Sequence, residues 1–290
     1  MLPGDMELSV KFSRRRPLQP LRFIGLPPLQ RIRRIGRRDL YFIVKRVLDI
    51  VITLALLVPL APVMVMIGIA VKLDSPGPVI FKQTRVGSRR RVDEEDERWE
   101  TDMFTMYKFR SMHQDADPSV HEAFIKAFID GDNARMAQVQ RETLAAGSQS
   151  SPSGIHDGVE NEDHEDLDDS ELEAFKLTRD PRVTRVGRFL RKTSLDELPQ
   201  FWNVLKGEMS LVGPRPDLPY SVDNYESWHF QRLNAKPGMT GLWQVYGRSQ
   251  VTWDESVRLD IDYVRDQSLA LDLKILLRTP LAVLSGKGAA

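Results

Sequence analysis

The sequence predicts an α+β protein, mainly helical, tied to a membrane by one long apolar segment. Three observations predict this. Residues 50–71 form a run of 22 residues without a charge. Two short stretches, 78–85 and 103–112, read as a pair of strands. Much of the rest carries apolar side chains at helical spacing.

A helix over residues 50–71 would be about 33 Å long, just enough to cross a hydrocarbon core of about 30 Å. Pro59 and Pro62 sit in its middle, and each removes a backbone donor there. Membrane helices tolerate proline, so this alone does not exclude a crossing. Seven Lys or Arg residues lie in 30–49 and six in 72–91. The positive-inside rule draws both flanks to the cytoplasmic side. A re-entrant helix that breaks at Pro59 and Pro62 satisfies it on both sides. The residues leave a crossing helix and a re-entrant helix both open, and the charge rule prefers the second.

The formal charge is zero, with 41 basic and 41 acidic side chains, but the distribution is uneven. Twelve basic residues fall within 1–46, and ten acidic ones within 157–173. Residues 1–38 have no sustained period and read as a flexible basic arm. It is either a solvated tail or a contact to anionic lipid headgroups. It lacks the interleaved aromatics of a nucleic-acid module, and no nucleic-acid partner is expected. There is no cysteine, which excludes disulfides, thiolate catalysis and cysteine metal sites. No early apolar run with a small-residue cleavage site marks a secretory leader.

The membrane segment is expected over 39–75 and a catalytic domain over 76–290. The strand pair predicts a β-hairpin with a long charged loop over 88–102. Residues 113–175 read as an insertion. Its first part, 120–144, places Phe124, Ile125, Phe128, Ile129, Met136 and Val139 at near-helical spacing, so one partly exposed helix is expected. Residues 147–169 are rich in Ser, Gly, Asp and Glu and read as disordered. His156 and His164 sit there among carboxylates, and a solvated acidic loop is the better reading than a metal site. Further on, Trp253, Val257, Ile261 and Val264 mark one helical face. Residues 271–284 form a second apolar helix, bent at Pro280, with Lys274 and Arg278 able to snorkel. That helix belongs either to the core or to the membrane interface.

The chemistry concentrates in 188–216. Leu195, Leu198, Phe201, Trp202 and Leu205 form a helical stripe, and Ser194 with Glu197 spells a capping box. Asp196 and Glu197 are therefore explicable as acidic residues favoured in a first helical turn. Their surroundings offer a second explanation. Arg188, Arg191 and Lys192 lie upstream, and Gly213-Pro-Arg-Pro216 downstream. Carboxylates beside several cations suit phosphate groups if a divalent cation intervenes, and Mg²⁺ is the natural choice. A carboxylate can also attack phosphorus and form an acyl phosphate.

These residues carry a resemblance. In order they are Lys45-Arg-Val-Leu-Asp49, Ala61-Pro62, Gly77-Pro-Val-Ile-Phe-Lys-Gln-Thr-Arg-Val-Gly87 and Tyr107-Lys-Phe-Arg-Ser-Met112. Thr193-Ser-Leu-Asp-Glu-Leu-Pro-Gln200, Ser210-Leu-Val-Gly-Pro-Arg-Pro216 and Lys236-Pro-Gly-Met-Thr-Gly-Leu-Trp-Gln-Val-Tyr-Gly-Arg248 follow. The chain resembles the bacterial sugar transferases, monotopic phosphoglycosyl transferases of polyprenyl-phosphate glycan pathways, over about residues 40–112 and 175–287. Each motif alone is of moderate specificity, but the ordered set is highly specific.

The resemblance implies a mainly helical cytosolic domain with a short hairpin, on a helix that enters one leaflet, breaks at proline and returns. It implies transfer of a sugar-1-phosphate from a UDP-sugar to undecaprenyl or another polyprenyl phosphate. UMP would be released, Mg²⁺ required, and a surface glycan such as an exopolysaccharide initiated at the cytosolic face of the cytoplasmic membrane. By similarity Asp196 is the nucleophile and Glu197 its partner, and both are candidate metal ligands. Arg191 and Arg215 would clamp phosphates, in a loop shaped by Pro214 and Pro216. Arg248 would contact the nucleotide, with Lys108 and Arg110 as further phosphate ligands. Trp243-Gln-Val-Tyr-Gly-Arg-Ser249 is closer to hexose-transferring relatives than to acetamido-sugar ones. Membrane lipids are expected partners, and a homo-oligomer is compatible with the sequence. The chain departs from the family in having Ala61 where Ser often precedes the breaking proline, and in its long insertion. It is expected to be a short form, without the extra membrane helices some larger relatives carry in front. The rival reading is a catalytically inactive, membrane-tethered scaffold, against which the intact Asp196–Glu197 pair argues.

Overall fold

The computed structural model describes residues 36–93, 97–114, 116–149, 180–247 and 251–284. The calls on the arm 1–35, on His156 and His164, on Arg248 and on the acidic stretch 157–173 lie outside the described residues. The architecture is α+β and mainly helical, as expected. A 38-residue helix, α1 (Arg37–Asp74), precedes a hairpin of β1 (Ile80–Val92) and β2 (Glu97–Phe109). Then come α2 (Pro118–Ile129), α3 (Asn133–Gln149), α4 (Arg185–Lys192), a 3₁₀ turn (Leu195–Glu197) and α5 (Gln200–Lys206). Strand β3 (Ser210–Val212) pairs in parallel with β4 (Gly238–Thr240), with the short helix α6 (Pro219–Val222) between them. Helices α7 (Leu242–Tyr246), α8 (Trp253–Arg265) and α9 (Leu269–Leu284) complete the chain.

Helix α1 lies against the domain at both ends. Near its start Lys45 Nζ donates to Asp272 Oδ2 at 2.8 Å, and Tyr41 and Tyr263 hydroxyls donate to the same carboxylate. Arg46 donates to Val204 and Leu205 carbonyls and so caps the last turn of α5. Asp49 accepts from Ser210 Oγ and Leu211 N, which ties α1 to β3. Near its end Ile67 and Val71 pack with Phe109 and Leu190. The other face is bare, with Val51, Leu54, Val58, Val65, Met66, Ile69 and Leu73 exposed.

The break expected at Pro59 and Pro62 is not an interruption. Helical backbone runs through both prolines from Arg37 to Asp74. Each proline forfeits one hydrogen bond, and the flanking turns keep theirs. Both rings are on the exposed side. A proline opens the helix on its own side, so any bend there carries the two halves toward the domain.

The hairpin is longer than expected. Its register runs from Ile80 opposite Phe109 to Val92 opposite Glu97, so most of the charged stretch 88–102 is strand. Paired charges explain the extension: Arg89 meets Asp102, Arg90 meets Glu97, and Arg91 meets Glu100 across the strands. The start of the insertion also differs. Residues 118–149 are two helices, not one partly exposed helix. Phe124, Ile125, Phe128, Met136 and Val139 are buried with Trp253, Val257 and Ile261 of α8 in a second core. Asp117 caps α2 by accepting from Ser119 N, and Gly131, with φ +66°, turns the chain between the helices.

Candidate active site

The catalytic candidates stand at a local irregularity. Ser194 has φ +57°, the only non-glycine residue with positive φ among the described residues. It makes no side-chain cap, and helix α5 starts only after Pro199. The capping box read from Ser194 and Glu197 is therefore not formed. Left-handed backbone costs a β-carbon residue about 1–2 kcal/mol and is retained where surroundings enforce it. Here it delivers Asp196 and Glu197 on a tight turn. Leu195 and Leu198 hold that turn by packing into the cluster of Ile67, Val71, Phe109 and Leu190, directly beside α1.

Asp196 is buried and Glu197 partly exposed. Lys108, at the end of β2, sends its ammonium to within 2.8 Å of Glu197 Oε1 and 3.8 Å of Asp196 Oδ2. Arg215 approaches the same Glu197 oxygen at 3.3 Å. Arg191 donates to Ser111 Oγ at 3.2 Å, and its guanidinium feels the Asp196 charge. Burial lowers the pKa of Arg191. Lys108, Arg191 and Arg215 thus gather at Asp196 and Glu197.

Pro214 and Pro216 are buried and act through the backbone. Pro214 O accepts from Gly238 N, and Pro216 O accepts from Arg85. The loop is fixed from below by Arg232, which pairs with both Asp217 and Asp260 and donates to Arg215 O. Tyr225 also donates to Asp217. Burial raises the Asp260 pKa to about 7, against the pull of Arg232.

Arg110 requires correction. It is buried, and its guanidinium donates to Val71, Ser75 and Pro76 carbonyls at the end of α1. Four carbonyls at a helix end lack intrahelical donors, and Arg110 satisfies that need. It is a cap and does not reach the carboxylate pair. Gly77, at φ +119°, leaves the space: a Cβ there would sit 2.1 Å from Arg110 Nη1.

Sequence reasoning missed Arg85, His121 and Tyr220. Arg85 shares the hairpin face of Lys108, since Phe81 and Lys108 are opposite and residues alternate faces. Its guanidinium donates to Gln83 Oε1 and Pro216 O, and burial together with nearby Arg215 lowers its pKa to about 10. His121 Nδ1 lies 2.7 Å from the Tyr220 hydroxyl. Burial, then Arg85, Arg182 and Arg191, push the His121 pKa down to about 4. Arg85 was visible in the quoted motif through Gln83 and Gly87. His121 lies on the insertion and gave no signal of its own.

Two adjacent carboxylates with Lys108, Arg191, Arg215 and Arg85 around them can receive a diphosphate. Among the described residues no group of three or more His, Asp or Glu is arranged as a metal cage. Asp196 and Glu197 are hard oxygen donors that fit a Mg²⁺ ion completing its shell with substrate phosphate oxygens.

The profile of the family described as bacterial sugar transferase matches residues 40–286. The chain belongs to the bacterial sugar transferase family. It is 37% identical over 250 residues to the galactosyl transferase CpsE of Streptococcus agalactiae, covering 86% of this chain and 44% of that protein. It is 37% identical over 255 residues to the undecaprenyl-phosphate galactose phosphotransferase of Salmonella typhimurium, covering 88% and 43%. The exopolysaccharide production protein ExoY of Sinorhizobium fredii is 32% identical over 245 residues, covering 84% of this chain and 87% of that protein. The chain thus spans less than half the length of the first two relatives and matches most of the third.

Proposed function

We propose that this sugar transferase moves a hexose-1-phosphate from a UDP-sugar to undecaprenyl phosphate through a covalent intermediate on Asp196, as a first step of exopolysaccharide assembly. The observation that carries the reading is the buried Asp196, 3.8 Å from Lys108 Nζ, beside Glu197, which Lys108 and Arg215 hold together. A carboxylate oxygen of Asp196 attacks the phosphorus that bears the sugar. The bond from that phosphorus to the UMP oxygen breaks, and UMP leaves with the electron pair. An oxygen of the lipid phosphate then attacks the same phosphorus, and the Asp196 carboxylate is released. Arg191, Arg215 and Lys108 offset the charge spread over the phosphate oxygens. Asp196 and Glu197 would hold Mg²⁺, which when bound neutralises phosphate charge. Glu197 is also placed to take the proton of the incoming lipid phosphate.

The membrane reading is that α1 lies in one leaflet of the inner membrane, with the catalytic domain on the cytosolic face. At 1.5 Å per residue its 38 residues extend about 57 Å, nearly twice a hydrocarbon core. It is the one described helix long and apolar enough to cross. Both of its ends bond to the same polar domain, so a crossing would drag that domain into lipid. The relatives named for galactose transfer support a hexose donor. The test is UMP release by the purified protein with undecaprenyl phosphate and a panel of UDP-hexoses and UDP-acetamidohexoses. Release dependent on one UDP-hexose and on Mg²⁺ is expected. No release with any donor would return the scaffold reading.

A further inference from the structure

A second concavity shares no lining residue with the carboxylate pair. It lies between the first turns of α1, the closed end of the hairpin and the corner from α8 to α9, and encloses about 1150 Å³. Arg37, Arg38, Arg98 and Arg265 line it, and Glu97 is its only acidic residue. Glu97 is already met by Arg90 at 3.0 Å and Arg38 at 3.5 Å. The nearest acid to Arg265, Asp262, is 4.0 Å away and exposed, which makes that pair weak. The lining therefore keeps an excess of positive charge.

Two hydrogen-bonding groups of the lining are buried and make no hydrogen bond: the Trp99 indole nitrogen and the Gln267 side-chain nitrogen. An indole N–H can only donate, so Trp99 calls for an acceptor. Its ring is fixed by an edge contact to Phe42 at 5.8 Å, and Phe42 in turn carries Arg90 on its face at 4.2 Å. Leu40, Val44 and Val264 make the same cavity partly apolar. Guanidinium groups and preset N–H donors are the groups that receive tetrahedral phosphate oxygens.

We infer that this cavity binds a phosphate ester with an apolar portion beside the phosphate. The source is an anionic phospholipid headgroup or a free phosphate ester. Its position at the start of α1, ahead of the uncharged run 50–71, sets it at headgroup depth if α1 lies in a leaflet.

The test uses the full chain in neutral detergent and needs no UDP-sugar, so its failure leaves the transfer reading untouched. Native mass spectrometry measures retention of phosphatidylglycerol against diacylglycerol, which has the same tails and no phosphate. Phosphorus NMR measures binding of glycerol phosphate in a separate arm. Trp99→Phe keeps the ring and removes the donor, and Arg37→Gln removes an exposed charge without touching the core. Unliganded melting temperatures check that both variants fold. Preferential retention of one phosphatidylglycerol, weakened at least tenfold by either variant, supports a lipid ligand. Glycerol phosphate binding with the same sensitivity supports the site with a free ester as ligand. Retention equal to that of diacylglycerol with no glycerol phosphate binding, or binding unchanged by both variants, overturns the inference.

Discussion

Lys108 and Glu197 are joined by a 2.8 Å hydrogen bond across 89 residues of sequence. It ties the end of the hairpin to the turn that carries Asp196, and the same ammonium lies 3.8 Å from Asp196. One cation therefore sets the spacing of both carboxylates. Replacing Lys108 with Met keeps the stem and removes the charge. On this account kcat falls at least a hundredfold, about 2.7 kcal/mol of barrier. The melting temperature should change little, since the pair is only partly buried. Steady-state UMP release with a thermal melt checks both, and wild-type turnover would remove Lys108 from the site.

Arg110 gives the contrasting case. Its three donated bonds end on carbonyls of Val71, Ser75 and Pro76. Arg110→Met should destabilise the protein by about 2–4 kcal/mol by leaving buried carbonyls unpaired. KM for the UDP-sugar should not move in the fraction that folds. A raised KM at unchanged stability would restore Arg110 to the substrate site.

Gly187 lies where α4 meets the chain after β2. A Cβ there would stand 2.0 Å from Ser111 O. Backbone cannot yield as a side-chain tip does, so Gly187→Ala must shift α4 and with it the bond from Arg191 to Ser111. Expected are a loss of about 1–3 kcal/mol in denaturant unfolding and a drop in kcat. A variant as stable and active as the parent would show that α4 does not position Arg191.

His121 supplies a pH signature. Its folded pKa of about 4 lies below the ordinary 6.5, with burial as the main cause and Arg85, Arg182 and Arg191 adding to it. The unfolded chain then binds a proton that the folded chain refuses. Stability contributed above pH 6.5 is lost as pH falls toward 4, up to about 3 kcal/mol, and the slope vanishes below that. His121→Gln removes the titrating group, so the difference in unfolding free energy between parent and variant should vary across this window. A difference constant from pH 7 to 4 would contradict the burial of His121.

Much of the frame was legible because it rests on local pattern. Trp253, Val257 and Ile261 at helical spacing do face one core, and the alternation of Phe104 and Met106 does mark a buried strand face. The clustering of Lys108, Arg191 and Arg215 at Asp196 was expected from motif order. What escaped depends on partners distant in sequence. Ser-x-x-Glu spells a capping box, but Glu197 bonds to Lys108 and Arg215 instead, and Ser194 turns left-handed. Arg110 looks like a surface cation until the end of α1 is seen to need donors. The charges of 88–102 look like a loop until each is seen opposite its counter-ion. Phe124 and Phe128 revealed a helix but not that α8 would bury it.

The central claim is that Asp196 carries the sugar phosphate. Intact-protein and peptide mass spectrometry after incubation with UDP-hexose and Mg²⁺, without lipid acceptor, tests it most directly. The account predicts an added hexose-phosphate on the peptide containing Asp196, one UMP released per adduct, loss of the adduct on adding undecaprenyl phosphate, and no adduct with folded Asp196→Asn. UMP release by Asp196→Asn at the wild-type rate, or an adduct on another residue, would contradict it.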